Sequence, residues 1–286
     1  MTVPLTVVIP ALNEEQNLPD ALRSVARADE VIVVDSHSRD RTAEIARQAG
    51  AEVVEFEFRP GGPKKKSWAL SNLSFRNPWV LLLDADERVP PALWQEIEAA
   101  VAGGDSADGY YVDRELVFMG RRMRSFRPNW NLRLFRRGTA RIENLELTDV
   151  PGTGDNEIHE HVTVEGRVGY LRTPLVHDDY RGLTAWLDRH NKYATWEAHL
   201  YDRFRREPLG ARPLDLLRLD PFSRKRLLRR VWVRLPFRPG LRFTVWYFAR
   251  RGFLDGRAGF VFCVLMSYYE FIIGAKLAEL RRERAE

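Results

Sequence analysis

The stretch Trp79–Val89, WVLLLDADERV, constrains this chain most. Val80–Leu83 is an unbroken apolar run, short enough for a strand and covered on both faces if its sheet is parallel. It stops at Asp84, Asp86 and Glu87. Three carboxylates at the end of a buried strand repel one another and desolvate poorly, which a hard cation or polar ligand relieves. In open α/β sheets, ligands occupy the crevice beyond such strand ends. Asp-x-Asp alone is a weak signal, since an acidic surface loop reads the same way. Two further runs end alike, however. Val31–Val34 passes into Asp35-Ser36-His37-Ser38, and Leu5–Ile9 into Pro10-Ala11-Leu12-Asn13-Glu14-Glu15. Three strands delivering polar groups to one rim point to a ligand site.

The segments between these runs are helical. Leu18, Ala21, Leu22 and Val25 repeat at helical spacing after Asn13 or Asn17, either of which suits an N-cap. Asp40 precedes a second helix ending at Gly50, and Val53–Phe58 reads as a strand. This β-α-β-α-β rhythm predicts an α/β fold, a mostly parallel sheet with right-handed crossovers and flanking helices. The loop from Gly61 to Lys66 leads into a helix over Ser67–Leu73. Amides and lysines at a helix start favour an anion such as a diphosphate; the competing reading is a solvated lysine run. Pro90–Val101 reads as a helix with Leu93, Ile97 and Val101 inward. Gly109–Asp113 and Glu115–Phe118 read as separate strands, and the alternation of Leu132 and Leu134 with Arg133 and Arg136 suits an edge strand.

Composition sets the bounds. The chain has 286 residues, 44% hydrophobic and 30% charged, enough for one large core or a core with an appendage. A single cysteine, Cys263, leaves no internal disulfide framework or cysteine zinc site, which fits a reducing compartment. The start of the sequence has no basic-then-apolar leader, so secretion is not expected.

PALNEE (Pro10–Glu15), VVDSHSRDRT (Val33–Thr42) and LLLDADE (Leu81–Glu87), in this order and spacing, closely resemble the nucleotide-sugar domain of family-2 inverting glycosyltransferases, which have the GT-A fold. The resemblance covers roughly residues 3–180. HDDYRG (His177–Gly182) and RRGFLDGRAGF (Arg250–Phe260) look more loosely like the bacterial members that build lipopolysaccharide cores and other envelope glycans. The resemblance implies a donor pocket of Pro10, Ala11, Asn13, Glu14, Asp35, Asp84 and Ala85. Pro10 and Glu14 would frame base and ribose, Asp35 would meet the nucleobase, and Lys65 or Lys66 the diphosphate. It implies Asp86 as ligand of Mn2+ or Mg2+, joined by His177, with a structural histidine as the alternative for the latter. Trp130 and Arg133 fall in the segment that similar enzymes place beside sugar and acceptor, although a tryptophan is more often core.

Inversion needs a base for the acceptor hydroxyl, while a metal stabilises the departing diphosphate. Glu160, in Asn156-Glu157-Ile158-His159-Glu160-His161, matches the position of that base in similar enzymes; Glu157 is the second candidate. His159 and His161 could instead share a metal, being two residues apart on a strand.

The expected division is residues 1–182 for the catalytic domain and 183–286 for a helical C-terminal region. Trp186, His190, Tyr193, Glu197, Leu200 and Phe204 form a stripe of the kind that packs. Between Arg218 and Arg251, eleven basic residues face one acid, Asp220. The helices expected over Ser223–Leu235 and Leu241–Arg251 set arginines opposite Trp, Phe and Leu, the pattern of a helix lying in a membrane interface. Gly259–Ala275 is apolar but short for a membrane span and holds Glu270. The expectation is an inverting glycosyltransferase using a nucleotide diphosphate sugar, with uridine the commonest base in similar enzymes. Its acceptor would be a lipid-linked or lipopolysaccharide-type glycan, at the inner face of the cytoplasmic membrane, with no nucleic-acid partner. A polyprenyl-phosphate glycosyltransferase and a non-catalytic sugar-nucleotide-binding protein are the alternatives.

Overall fold

The computed structural model describes residues 2–59, 62–103, 107–143, 150, 161–209 and 221–284. They form two compact units. One runs to Thr184; the other takes Ala185 onward together with Val150.

The first unit opens with β1 (Val3–Ala11), α1 (Leu18–Ser24), β2 (Ala28–Asp35), α2 (Thr42–Gln48), β3 (Glu52–Glu55), α3 (Lys65–Asn72) and β4 (Trp79–Leu82). These strands lie in the order β3-β2-β1-β4, all parallel. Alternate residues serve opposite faces. Leu5, Val7, Ile9, Val33 and Leu81 join one apolar cluster, while Val8, Ile32, Val34, Val80 and Leu82 join the other. Because both faces are covered, the strands read as continuous apolar runs, and each fully buried side chain contributes about 1.5–3 kcal/mol.

The chain continues with β5 (Glu87–Arg88), α4 (Pro91–Val101), β6 (Gly109–Phe118), β7 (Arg121–Arg122), β8 (Trp130–Arg136), β9 (Ala140–Glu143), β10 (His161–Val164) and β11 (Val168–His177). The sheet extends from β4 through β8, β6, β11 and β5. Strand β8 is antiparallel to both neighbours, and β6 and β11 are parallel. Two expectations change here. Residues 109–118 make one strand rather than two. Strand β8 is interior rather than an edge: Leu132, Arg133, Leu134 and Phe135 are all buried, because β4 and β6 flank it. Its arginine looked like the outward partner in an alternation, but it faces buried acids.

The second unit holds most of α5 (Gly182–Arg206), then α6 (Pro221–Arg234), α7 (Arg238–Thr244), a π turn (Val245–Ala249), a 3-10 turn (Gly252–Asp255) and α8 (Gly256–Glu283). Helix α7 starts at Arg238-Pro239, earlier than expected, because proline fits the first helical turn. The α5 stripe is a packing face. His190 stacks on Trp186, with ring centroids 3.5 Å apart, and meets Tyr269 edge-on.

Several of the arginines expected to face lipid, among those whose side chains are described, are engaged within this unit. Arg229 pairs with Glu197 at 2.6 Å, and Arg230 with Glu207. Arg238 and Arg242 close on the fully buried Glu270 at 2.9 and 2.5 Å, and Trp232 donates to the same carboxylate. Buried carboxylates collect cations because leaving them unpaired costs several kcal/mol, roughly 3–5 on loss of a partner. The apolar stretch also lies in a longer helix than expected. The segment Gly252–Glu283 is long and apolar enough to cross a membrane by length and composition.

Candidate functional site

Strands β1, β2 and β4 run parallel, so their carboxyl ends share a rim. Ala11 pairs with Asp35 across β1 and β2, and Leu83 N–H donates to Val8 O. The loop after β1 is sewn to the loop after β2. Asn13 N–H donates to Ser38 Oγ (2.9 Å), Arg39 N–H to Asn13 Oδ1 (2.8 Å) and Glu14 N–H to Thr42 Oγ1 (2.7 Å). Asn13 and His37 adopt positive φ, which asparagine and histidine tolerate better than branched residues. Asp35 is buried and accepts from Ser38 N–H at 2.9 Å. Asp40 accepts from Thr42 N–H (3.0 Å) in the turn that leads into α2.

The lysine run is not solvated. Lys65 is buried and donates to Ala11 O at 2.7 Å, while Lys66 reaches Asp84 at 2.7 Å. Both lysines thus converge on the rim, one on backbone and one on an acid. Arg133 approaches from β8 and donates to Asp84 and to Glu87, each at 2.6 Å. Burial alone would raise the Asp84 carboxyl, but Arg133 and Lys66 hold it well below the usual carboxylate range. Burial pushes Glu87 upward against the pull of Arg133. Arg133 is itself locked in its charged form, burial being outweighed by these two acids.

Asp86 has a different neighbourhood. The short strand β5 pairs with the end of β11, setting His177 opposite Glu87, and Asp178 N–H donates to Asp86 O at 3.0 Å. This brings His177 Nδ1 to 3.1 Å from Asp86 Oδ1. The imidazole nitrogen is buried and close, yet not aligned as a hydrogen bond. Burial works against the Asp86 charge, and His177 lowers its pKa in spite of that.

Sequence reasoning missed three participants. Arg181 donates to Glu14 at 2.6 Å and to Asp179 at 2.8 Å, and lies 3.9 Å from Asp86. Burial, partly offset by Arg181, pushes the Glu14 carboxyl up to about 7. Asn17 occupies the N-cap position of α1 without capping it. Its buried amide instead donates to Glu14 (2.8 Å) and Asp179 (2.9 Å) and accepts from Tyr180 N–H (2.8 Å). The HDDYRG motif was the available signal for Asp179 and Arg181.

Trp130, 40% exposed, meets Tyr170 edge-on at 5.0 Å, and Tyr170 stacks on Tyr111 at 5.2 Å. Trp130 is therefore a surface ring rather than a core one. Pro10 lies at the carboxyl end of β1, and the buried Ala85 in the turn between β4 and β5. Glu157, His159 and Glu160 lie outside the described residues, as does the His161 side chain.

Among the described residues, no set of three His, Cys, Asp or Glu side chains is placed to hold an ion by itself. Asp86 and His177 offer two donors, a carboxylate and an imidazole, and a bound diphosphate would have to supply the rest. That mixed set suits Mn2+ or Mg2+, and an imidazole nitrogen left without a hydrogen bond beside a carboxylate fits a metal between them.

An α/β sheet whose β1, β2 and β4 ends meet an Asp-x-Asp turn is the layout of a GT-A glycosyltransferase domain. The chain belongs to glycosyl transferase family 2, whose model matches residues 6–154. A lipopolysaccharide core biosynthesis glycosyltransferase, LpsC of Rhizobium meliloti, is 29% identical over 96% of this chain and 92% of its own length. An uncharacterized glycosyltransferase of Rickettsia typhi is 28% identical over 94% of this chain and 84% of its own. Among solved structures, S. aureus TarS 1–349 with UDP-GlcNAc aligns over 96% of this chain and 92% of its own at 15% identity, with a TM-score of 0.44. Glucosyl-3-phosphoglycerate synthase of Mycobacterium tuberculosis, solved with Mn2+ and UDP-glucose, aligns over 40% of this chain and 43% of its own at 26% identity, with a TM-score of 0.32.

Proposed function

We propose that the chain is an inverting, metal-dependent transferase. It moves a sugar from a nucleoside diphosphate donor, a uridine diphosphate sugar by preference, to a hydroxyl of a lipid-linked or lipopolysaccharide-type glycan. The observation that carries this reading is the pairing of Asp86 with His177 at 3.1 Å, beside a rim where Lys66 and Arg133 already balance Asp84. Likeness to LpsC over nearly the whole chain supports the acceptor class. The work would take place on the cytoplasmic side, at the inner face of the membrane.

A divalent ion held by Asp86 and His177 would offset the charge that develops on the leaving diphosphate. Asp35 and the Pro10–Glu14 loop would bind the nucleoside. Lys66 would hold Asp84 in its charged form and add positive potential beside the phosphates. Trp130 would offer its exposed ring to a sugar face. Arg133 is assigned here to fixing Asp84 and Glu87 rather than to touching sugar, since both acids occupy its guanidinium. Glu160 would take the acceptor proton; Glu157 is the second candidate for that role.

The test is transfer with Mn2+ or Mg2+. Asp86→Asn should keep the melting behaviour of the parent and lose about 10³-fold in turnover, the scale of losing charge stabilisation on a leaving group. An Asp86→Ala variant that transfers at the parent rate with the metal chelated would sink the assignment. Glu160→Gln should lose about 10²–10⁴-fold toward a hydroxyl acceptor while still binding donor. Unchanged turnover there would move the acceptor to a phosphate nucleophile such as a polyprenyl phosphate, which needs no strong base.

A further inference from the structure

In the second unit, the turn between α7 and α8 exposes large apolar side chains on a stiff support. Phe248 is 59% exposed, Phe253 45% and Leu254 58%. A loose loop could fold such groups inward, but this one is held. Arg251 N–H donates to Phe248 O at 3.1 Å, and Leu254 N–H to Arg251 O at 2.9 Å. Beneath them Gly252, Asp255, Ala258 and Gly259 are buried. A Cβ on Gly259 would stand 2.0 Å from Gly252 O, so the turn's backbone presses directly on the first turns of α8. The apolar groups therefore point outward because the framework beneath them is filled.

Two further features define the occupant. Arg250, Arg251 and Arg257, all exposed, flank Phe253 and Leu254 in sequence, while the one acid in the turn, Asp255, is buried. The apolar surface also continues along one face of α8 through Phe260, Val264, Tyr268 and Phe271, spaced by four, four and three residues. An apolar face edged by arginines complements a bilayer surface, apolar below the headgroups and anionic at them.

We propose that the Phe248–Arg257 turn inserts into the interface of an anionic lipid bilayer, with α8 lying along the membrane rather than crossing it. Crossing would carry Glu270, Arg238 and Arg242 into hydrocarbon, since Glu270 lies on α8 itself and both arginines close on it. Lying flat leaves that cluster inside the protein and places only the exposed stripe in lipid. The proposal refines the membrane location given above, moving the contact from Arg229, Arg230, Arg238 and Arg242, which are engaged internally, to this turn. It does not depend on the sugar or the acceptor.

The test is sedimentation of the full chain with vesicles of phosphatidylcholine alone and of phosphatidylcholine mixed with phosphatidylglycerol. The parent should pellet with the mixed vesicles and far less with the neutral ones. The double variant Phe253→Glu/Leu254→Glu should lose at least about thirty-fold in vesicle affinity, as expected for losing two inserted apolar side chains. Arg251→Gln/Arg257→Gln should lose the preference for the anionic mixture. Circular dichroism and nucleotide-sugar binding, both unchanged in these variants, separate this result from any failure of the transferase reading. A parent that stays in solution with both vesicles, or a Phe253→Glu/Leu254→Glu variant that binds like the parent, overturns the proposal. So does light scattering that shows a dimer of the parent, a monomer of that variant and no lipid binding by either, since a second copy would then cover the tip.

Discussion

At the level of single residues, position in the sheet decides what a charge does. Lys65, Lys66 and Arg133 read as surface cations by composition, yet each closes on the rim: on Ala11 O, on Asp84, and on Asp84 with Glu87. Nothing within a few positions of them in sequence reveals this, because the groups they meet belong to distant segments of the chain. The acids themselves were legible, since an apolar run ending in carboxylates needs a reason to end that way. Asn17 shows the converse. It stands where a cap belongs, and only the distant Asp179 and Tyr180 explain its buried amide. His190 supplies a prediction at this scale. Burial among Trp186, Tyr193 and Tyr269 lowers its pKa from 6.5 to about 4. The unfolded chain then takes up this proton at a higher pH than the folded one. The neutral-imidazole contribution is thus whole above pH 6.5, is lost as pH falls toward about 4, and levels off below. It amounts to about 3 kcal/mol. In His190→Phe, denaturant midpoints measured across that window should show a shallower acid limb than the parent.

At the level of elements, the sequence told more about strands than about their neighbours. The parallel half of the sheet follows from three apolar runs separated by helices. The interior place of β8 does not, because its alternating pattern is that of an edge and its partners are chosen by the fold. Residues 109–118 read as two strands because Arg114 interrupts the apolar run, yet this arginine approaches Glu87 at 3.8 Å. The C-terminal helices were legible as amphipathic, but which face their arginines took was not, since the buried Glu270 that collects Arg238 and Arg242 lies on another helix. Close packing at the start of α8 gives the prediction here. Gly259→Ala sets a methyl against Gly252 O and the Asp255 side chain, where backbone must move. Such overpacking costs about 1–3 kcal/mol. The denaturation midpoint of Gly259→Ala should fall accordingly, while Gly240→Ala, whose added carbon meets nothing within 4 Å, should stay close to the parent.

At the level of the whole molecule, the two units can be probed separately by what binds them. A true donor binds only the folded sheet and stabilises it by mass action. With a nucleotide sugar at a hundred times its Kd, the gain is about 2.7 kcal/mol, which raises a melting midpoint by about 5–10 °C. We expect that rise for one sugar nucleotide in the presence of Mn2+ or Mg2+, and a clearly smaller one in Asp86→Asn. Differential scanning fluorimetry across a panel of sugar nucleotides reads both, and a parent unmoved by every donor would count against the rim as a donor site.

The bonds from Asn17 to Asp179 and Tyr180, and from Glu14 to Arg181, bind the first loop of the chain to the last turn of its sheet. A polypeptide still on the ribosome, emerged as far as β8, already has Lys66 and Arg133 for Asp84. It has nothing yet from the β11 end for Glu14 or Asp86. The rim can set only after the ribosome has released Arg181, so the pocket is the last part of that unit to be finished, although its first wall is the first part made.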